Sequence, residues 1–316
     1  MINDYKILKE LGHGMFGSVY LAEKGGKKYA LKIEKISDDK VDLRKSLWRE
    51  IDFYEKFSRF FPNYFSQLIE YGILDRCKFQ PKIINKISLQ NLESKYCSIK
   101  IYSLIDKTLD KLKLRQNEYY SILIQLLYAI YLMNKAGYVH GDLHKGNIGV
   151  VRVDRKYVKI FGRKVRTYGR AVRVIDFGTV LHPSYDMRNE ERDLYMLGRD
   201  KEMLWAVSNM AYDYEKFMRG VLDGLGGKND LNDMIVRFEG SKRDRELREY
   251  TSNIYYRYQL FMLMYPDEFV RFVFGRDVGY EPIEFFLPME DILYVVRNSG
   301  DMRGIINYFI DKLDKN

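Results

Sequence analysis

Cysteine is scarce, with only Cys77 and Cys97 in 316 residues. That argues against a disulfide framework and for a reducing compartment. The opening Met1-Ile2-Asn3-Asp4-Tyr5-Lys6 lacks the basic-then-apolar pattern of a secretory leader. The longest apolar run, Ile122 to Met133, contains Gln125 and is too short to span a bilayer. No internal repeat is visible. These absences lead us to expect a cytoplasmic chain that is not secreted. A full core is still available, since 46% of residues are hydrophobic and 31% are charged. The length allows one large domain or two lobes.

Acidic counterweight is missing from one place. The net charge is +9, yet Arg152 to Arg173 alone carries nine Lys or Arg and one Asp, so the rest of the chain is nearly neutral. Any attraction to acidic partners must go through that element. It alternates in period two and breaks at Gly162-Arg163 and Gly169-Arg170, which predicts long β-hairpins over 148–175. Such a ribbon is either a solvated hairpin whose Val and Ile pack inward, or a docking surface for a polyanion. Acidic protein, nucleic acid and anionic lipid all qualify for the second reading.

The chain is organised around His140-Gly141-Asp142-Leu143-His144-Lys145-Gly146-Asn147. Asp142 and Asn147 stand five apart in a polar turn between apolar runs. A carboxylate that accepts a hydroxyl proton and an amide that holds a metal on a nucleotide phosphate need this spacing. Other parts follow the same chemistry. Gly12-His13-Gly14-Met15-Phe16-Gly17-Ser18-Val19 lies between two predicted strands within 5–36, and its glycines let backbone N–H groups lie close over phosphates. A strand after the glycines disfavours a dinucleotide fold. Lys32 sits mid-strand in Tyr29-Ala30-Leu31-Lys32-Ile33-Glu34, where it can reach phosphates if a carboxylate orients it. The helical spacing over 43–57 offers Glu50 for that task, while Glu34 and Glu55 suit it less by position.

Further on, 58–98 reads as irregular, with a strand at 68–73 and a loop-rich insertion at 75–95. A strand at 97–105 leads into a linker whose backbone would read an adenine edge. A buried helix is expected over 117–136. The strand Val172 to Ile175 runs into Asp176-Phe177-Gly178, an aspartate at a strand end with a glycine that lets the chain turn. Buried helices at 193–210, 254–264 and 305–313 would build the remaining core.

Taken together, these motifs stand in the order of a eukaryotic-type protein kinase domain, which the chain resembles over about residues 5–210: Gly12/Gly14/Gly17/Val19, Lys32, Glu50, His140/Asp142/Asn147, Asp176-Phe177-Gly178 and Asp193 with Gly198. The resemblance implies an α+β, bilobal protein-kinase-like fold, with a small β-rich N-lobe (1–105) and a larger helical C-lobe (106–316). It implies ATP with Mg²⁺ or Mn²⁺ as cofactors. Leu11, Gly12, Gly14, Gly17, Val19, Ala30, Lys32, Tyr102, Ser103 and Ile105 would form the nucleotide site, Tyr102 as gatekeeper and Ser103 to Ile105 as hinge. Lys32, paired to Glu50, would position phosphates. Asp142 would be the catalytic base, and Asn147 and Asp176 the metal ligands. Tyr54, His140 and Phe177 would stack as a spine anchored by Asp193.

Four departures narrow the expectation. Gly141 replaces the Arg that normally binds a phosphorylated activation loop, which implies activity without that phosphorylation. His144 stands where Lys is usual, and Lys145 next door can substitute. Only a short stretch separates Asp176 from Asp193, with no A-P-E in it. The Asn147–Asp176 interval is stretched by the basic hairpins. The D-L-H-x-G-N loop without A-P-E is similar to haspin-type kinases and to kinases of large DNA viruses, and Ser103 to Leu109 resembles the casein-kinase type. If the chain is viral, the host cytoplasm or the virion is its expected location. The expected activity is Ser/Thr protein phosphorylation. The alternatives are a small-molecule kinase of the aminoglycoside or choline type, whose loop H-G-D-L-H-x-G-N also resembles, and a nucleotide-binding pseudokinase scaffold.

Overall fold

The computed structural model describes residues 4–13, 17–36, 46–75, 82–83, 96–211 and, in part, 287–315. The predicted helix at 254–264 lies outside the described residues. The chain divides into two compact units. One comprises 1–113, 140–142 and 146–187, and the other 114–139, 143–145 and 188–316.

The first unit is built on a six-stranded sheet. Its strands are β1 (Lys6–His13), β2 (Gly17–Lys24), β3 (Lys27–Ile36), β4 (Leu68–Asp75), β5 (Lys82–Ile83) and β6 (Tyr96–Ser103), in the order β4-β6-β3-β2-β1-β5. The β2 and β3 strands meet in a tight turn at Gly25-Gly26, with Lys24 opposite Lys27. Alternation decides which side is buried. Tyr5, Ile7, Tyr20, Ala22, Leu31, Ile33, Cys97, Ile99 and Ile101 form one apolar cluster. Cys97 within it is disulfide-bonded, which runs against the expectation of a reducing compartment. A single link is not a framework, and the sheet core is apolar packing.

Helix α1 (Ser46–Lys56) turns Glu50, Ile51, Phe53 and Tyr54 inward, and Phe57 just past its end is buried as well. A second, smaller sheet joins β7 (Lys107–Thr108), β8 (Ile148–Arg152) and β11 (Arg170–Val174) in the order β11-β8-β7, and β9 (Tyr157–Ile160) pairs with β10 (Arg163–Arg166). The stretched interval is therefore two nested antiparallel pairs, as the period-two pattern predicts. Val158, Ile160 and Val165 are buried, while Lys159, Lys164 and Arg166 alternate outward. Two backbone bonds tie this ribbon to the segment before β4: Ser66 N–H donates to Val174 O at 3.0 Å, and Val174 N–H to Tyr64 O at 2.8 Å. By contacts the ribbon thus belongs with the N-terminal sheet, whereas the expected boundary at 105/106 puts it with the helices.

The second unit contains α2 (Gln116–Lys135), α3 (Asn189–Ala211) and α4 (Met302–Lys315) among its described residues. Acidic caps start all three helices: Glu118 accepts the Arg115 N–H, Glu191 the Arg188 N–H, and Asp301 the Gly304 N–H. Ile305, Ile306, Phe309, Ile310 and Leu313 form the buried stripe of α4. Asp291 is fully buried and satisfied by Tyr120 and Tyr308, each at 2.7 Å, and by Lys312.

Phe65 is fully buried, 6.0 Å from both Phe53 and Phe177. Phe65→Ala is expected to remove about 3–5 kcal/mol of stability, read as a fall in melting temperature. The exposed Phe60→Ala should stay within about 0.5 kcal/mol of the parent.

Candidate active site

Four elements of the first unit converge on one charged cluster. Lys32 on β3 and Lys100 on β6 are direct cross-strand partners. Two ammonium groups so placed repel unless carboxylates intervene. Glu34, two residues along β3, and Glu50, from α1, supply them. Lys32 Nζ lies 2.8 Å from Glu34 Oε1 and donates to Asp176 Oδ1 at 3.0 Å. Lys100 Nζ lies 2.5 Å from Glu34 Oε2 and is bonded to Glu50 Oε2. Glu50 Oε1 accepts the Tyr102 hydroxyl at 2.7 Å.

This corrects the expected pairing of Lys32 with Glu50. Both oxygens of Glu50 are taken, by Lys100 and Tyr102. Glu34, judged less suitable by position, is the carboxylate on Lys32. Lys100 was missed altogether, although a lone Lys in the apolar run 97–105 was a visible signal. Burial pulls the Lys32 ammonium down, but Glu50, Asp176 and Glu34 outweigh it and hold it above its ordinary value. Glu50 therefore acts on Lys32 through the field without an ion pair.

Asp176 adopts φ +59, in the left-handed region that non-glycine residues rarely use. The bond from Lys32 and the packing of Phe177 hold it there. Phe177 is fully buried and stacks on Phe53 at 4.1 Å, edge-on to Tyr54 at 5.3 Å, with His140 at 5.0 Å. The expected stack of Tyr54, His140 and Phe177 is thus present, with Phe53 as its closest member. Asp193, its expected anchor, falls on α3 with its side chain outside the described residues. His140 Nε2 donates to the Ile175 carbonyl at 3.0 Å, so Nδ1 accepts the Asp142 N–H at 3.3 Å.

The turn after His140 needs glycine. Gly141 has φ +79, and a Cβ on it would lie 2.6 Å from the Thr179 carbonyl oxygen. Thr179 Oγ1 in turn donates to the His140 carbonyl at 2.9 Å. No arginine fits without moving this junction. Asn147 ends a short 3₁₀ turn, Lys145–Asn147, and its Nδ2 donates to the Asp142 carbonyl at 2.8 Å. That bond leaves the Asn147 amide oxygen to act as a ligand. Lys145 groups with the helical unit.

The expected nucleotide residues line up along the same sheet. Val19 is opposite Lys32, and Ala30 opposite Tyr102. Gly14 lies outside the described residues. A Cβ at Gly17 would meet the Ile33 carbonyl oxygen at 1.9 Å, so β2–β3 pairing itself requires glycine there, while the space at Gly12 is open. The Ser103 N–H donates to the Gln67 carbonyl at 2.9 Å and its hydroxyl oxygen accepts the Gln67 N–H at 3.0 Å. Leu11 and Ile105 line a cleft of about 660 Å³ together with Lys9, Lys107, Lys111 and Arg152.

A family model described as protein kinase domain matches residues 5–191. The chain belongs to the protein kinase family. Among solved structures, that of vaccinia related kinase 3 matches with a TM-score of 0.54 at 12% identity, covering 98% of this chain and 87% of that one. At that identity the likeness concerns the fold, a β-sheet-rich N-lobe with a helical region. No curated protein sequence matches the chain. Among the described residues of this kinase, no helix is long and apolar enough to cross a membrane.

The charged cluster gives the kinase a defined acid limb. Burial pushes the Glu34 carboxyl up, but Lys100 and then Lys32 more than reverse it, leaving it below its ordinary value. The Asp176 carboxyl is likewise raised by burial and brought lower by Lys32. A depressed folded value contributes stability above the unfolded value, and this is lost as pH falls through the folded one. The parent should lose stability from about pH 5 downward, and Glu34→Gln should lose less over the same window. Chemical denaturation at stepped pH checks this; parallel acid limbs would refute it.

Proposed function

We propose that this protein kinase transfers the γ-phosphate of ATP to serine or threonine hydroxyls of protein substrates, without needing phosphorylation of its activation segment. The observation that carries this reading is the Lys32–Asp176 bond in the unit that also holds Asp142 and Asn147, which are joined by a bond of their own. One carboxylate and one amide oxygen, completed by phosphate oxygens and water, suit Mg²⁺ better than a site built wholly from protein. ATP supplies the transferred group, and Mg²⁺ neutralises charge on it. Lys32 would hold the α- and β-phosphates. Asp142 would accept the substrate hydroxyl proton, and Asn147 and Asp176 would hold the metal. Leu11, Gly12, Gly14, Gly17, Val19, Ala30, Tyr102, Ser103 and Ile105 would surround the nucleotide. Lys145 would substitute for the lysine that His144 replaces in the catalytic loop.

Independence from loop phosphorylation is supported by how the segment after Phe177 is held. Val180 and Leu181 are buried. The Tyr185 hydroxyl donates to Asp52 Oδ2 at 3.1 Å, and Arg49 Nη2 donates to the Asp186 carbonyl at 2.5 Å. Unmodified groups of α1 thus do the work that a phosphate and an arginine would otherwise do. Similarity to haspin-type, casein-kinase-type and large-virus kinases is consistent with so short a segment.

For substrates, we favour acidic protein segments. Lys9, Lys107, Lys111, Lys113 and Arg152 line the cleft of about 660 Å³ over an apolar floor that includes Leu11, Leu21 and Val150, with Asp106 as its one carboxylate. That carboxylate already accepts the Arg152 backbone N–H at 2.6 Å. Cations over an apolar floor suit a peptide with acidic and apolar side chains better than a uniformly charged nucleic acid.

Phosphatase-treated protein should phosphorylate casein but not choline or an aminoglycoside, and Asp142→Asn should lower kcat by about 10²–10⁴-fold with little change in the KM for ATP. Turnover of the small alcohols alone would favour the small-molecule kinase. Tight ATP binding with no turnover would favour a scaffold. Separately, Lys107→Gln/Lys111→Gln/Arg152→Gln should raise the KM for an acidic peptide, flatten its salt dependence and leave a neutral peptide unaffected. Lost DNA binding with unchanged peptide kinetics would assign the cleft to nucleic acid instead.

A further inference from the structure

The charged cluster contains one lysine more than phosphate positioning requires. Lys100 is 1% exposed, and so is the carboxylate it holds, Glu50. Desolvating an ammonium is costly, so Lys100 stays charged only because Glu34 and Glu50 both close on it. Glu50 is complete without Lys32, having Lys100 on one oxygen and Tyr102 on the other. Lys32 in turn is engaged by Glu34 and Asp176. Two duties that one lysine could combine, anchoring the α1 carboxylate and meeting the nucleotide, are here divided between neighbouring strands.

We propose that Lys100 is the positioning residue for Glu50, and through it for α1, so that α1 is locked in place whether or not nucleotide is bound. The kinetic half of this inference rests on the kinase reading above; the structural half does not. Glu34 bridges the two lysines and keeps their charges from repelling. Tyr102, the strand neighbour two residues on, adds a neutral donor that loses nothing when the nucleotide leaves. Lys32 is thereby free of structural duty toward α1. Binding and release of nucleotide then need not move the helix that carries Glu50, Arg49 and Asp52, nor the segment that Arg49 and Asp52 hold.

Amide hydrogen exchange of residues 46–56 in the nucleotide-free full chain, beside steady-state kinetics, tests this. Lys32→Met should leave α1 protection at the parent level while ATP affinity falls. Lys100→Met should raise α1 exchange by about tenfold, since it strands a buried carboxylate. It should also lower kcat while the KM for ATP changes by no more than about threefold, roughly 0.65 kcal/mol. Lys100→Arg should recover part of both effects. Should Lys100→Met fail to fold, Lys100→Met/Glu34→Gln removes the carboxylate repulsion and is read the same way. Equal loosening of α1 by Lys32→Met, or parent-level exchange and kcat in the Lys100 variants, would overturn the proposal. A parent with no turnover would sink the kinase reading and leave the exchange result to stand or fall alone.

Discussion

Two lysines and three carboxylates share one partly dry space, and the rest of the first unit is arranged around keeping them neutralised. Lys32, Lys100, Glu34, Glu50 and Asp176 come from β3, β6, α1 and the end of the 148–175 ribbon. None can be buried alone. An ion pair broken by removing one partner costs about 3–5 kcal/mol, far more than the pair itself contributes. The cluster is therefore a constraint more than a source of stability. It obliges α1 to lie against β6, and the end of the ribbon to bring Asp176 to β3.

Apolar packing supplies the energy that the charged cluster does not. Phe53, Tyr54, Phe65 and Phe177 pack ring to ring beneath it, with His140 at their edge. Because Phe177 follows Asp176, the same packing that buries the ring holds the aspartate at its unfavourable φ. The histidine does double service. Its ring packs on Phe177, and its two nitrogens fix the Ile175 carbonyl and the Asp142 amide. Charge, aromatic packing and the Asp142 turn are in this way three views of one connected arrangement, which is why a protein with so short a segment after Phe177 can hold that segment with ordinary side chains.

Much of this was legible in the residues. Spacing identified the Asp142–Asn147 turn and Asp176, since both motifs are local and survive divergence in what surrounds them. Period-two alternation predicted the ribbon, and period 3.6 predicted α1 to α4 to within a few residues. The spine was legible as Tyr54, His140 and Phe177, but Phe53 was not, because a ring on an amphipathic helix looks like any other core residue. The ribbon's attachment was missed for a similar reason: its tie to residues 64–66 is made of backbone hydrogen bonds, which carry no side-chain signature.

The sequence by itself determined the family and the order of the elements, and it marked the Asp142–Asn147 turn and Asp176, because each depends on residue type at short spacing. Only the tertiary structure decided which lysine meets which carboxylate. Lys32 and Lys100 lie 68 positions apart and become neighbours through β3–β6 register. No local pattern encodes that register. Glu50 follows the nearer and better-desolvated partner, and the expected Lys32–Glu50 pair gives way to Lys100–Glu50. The turn around His140 to Asn147 likewise gained its reason from the fold: Gly141 is glycine because the Thr179 carbonyl occupies the space where a side chain would be.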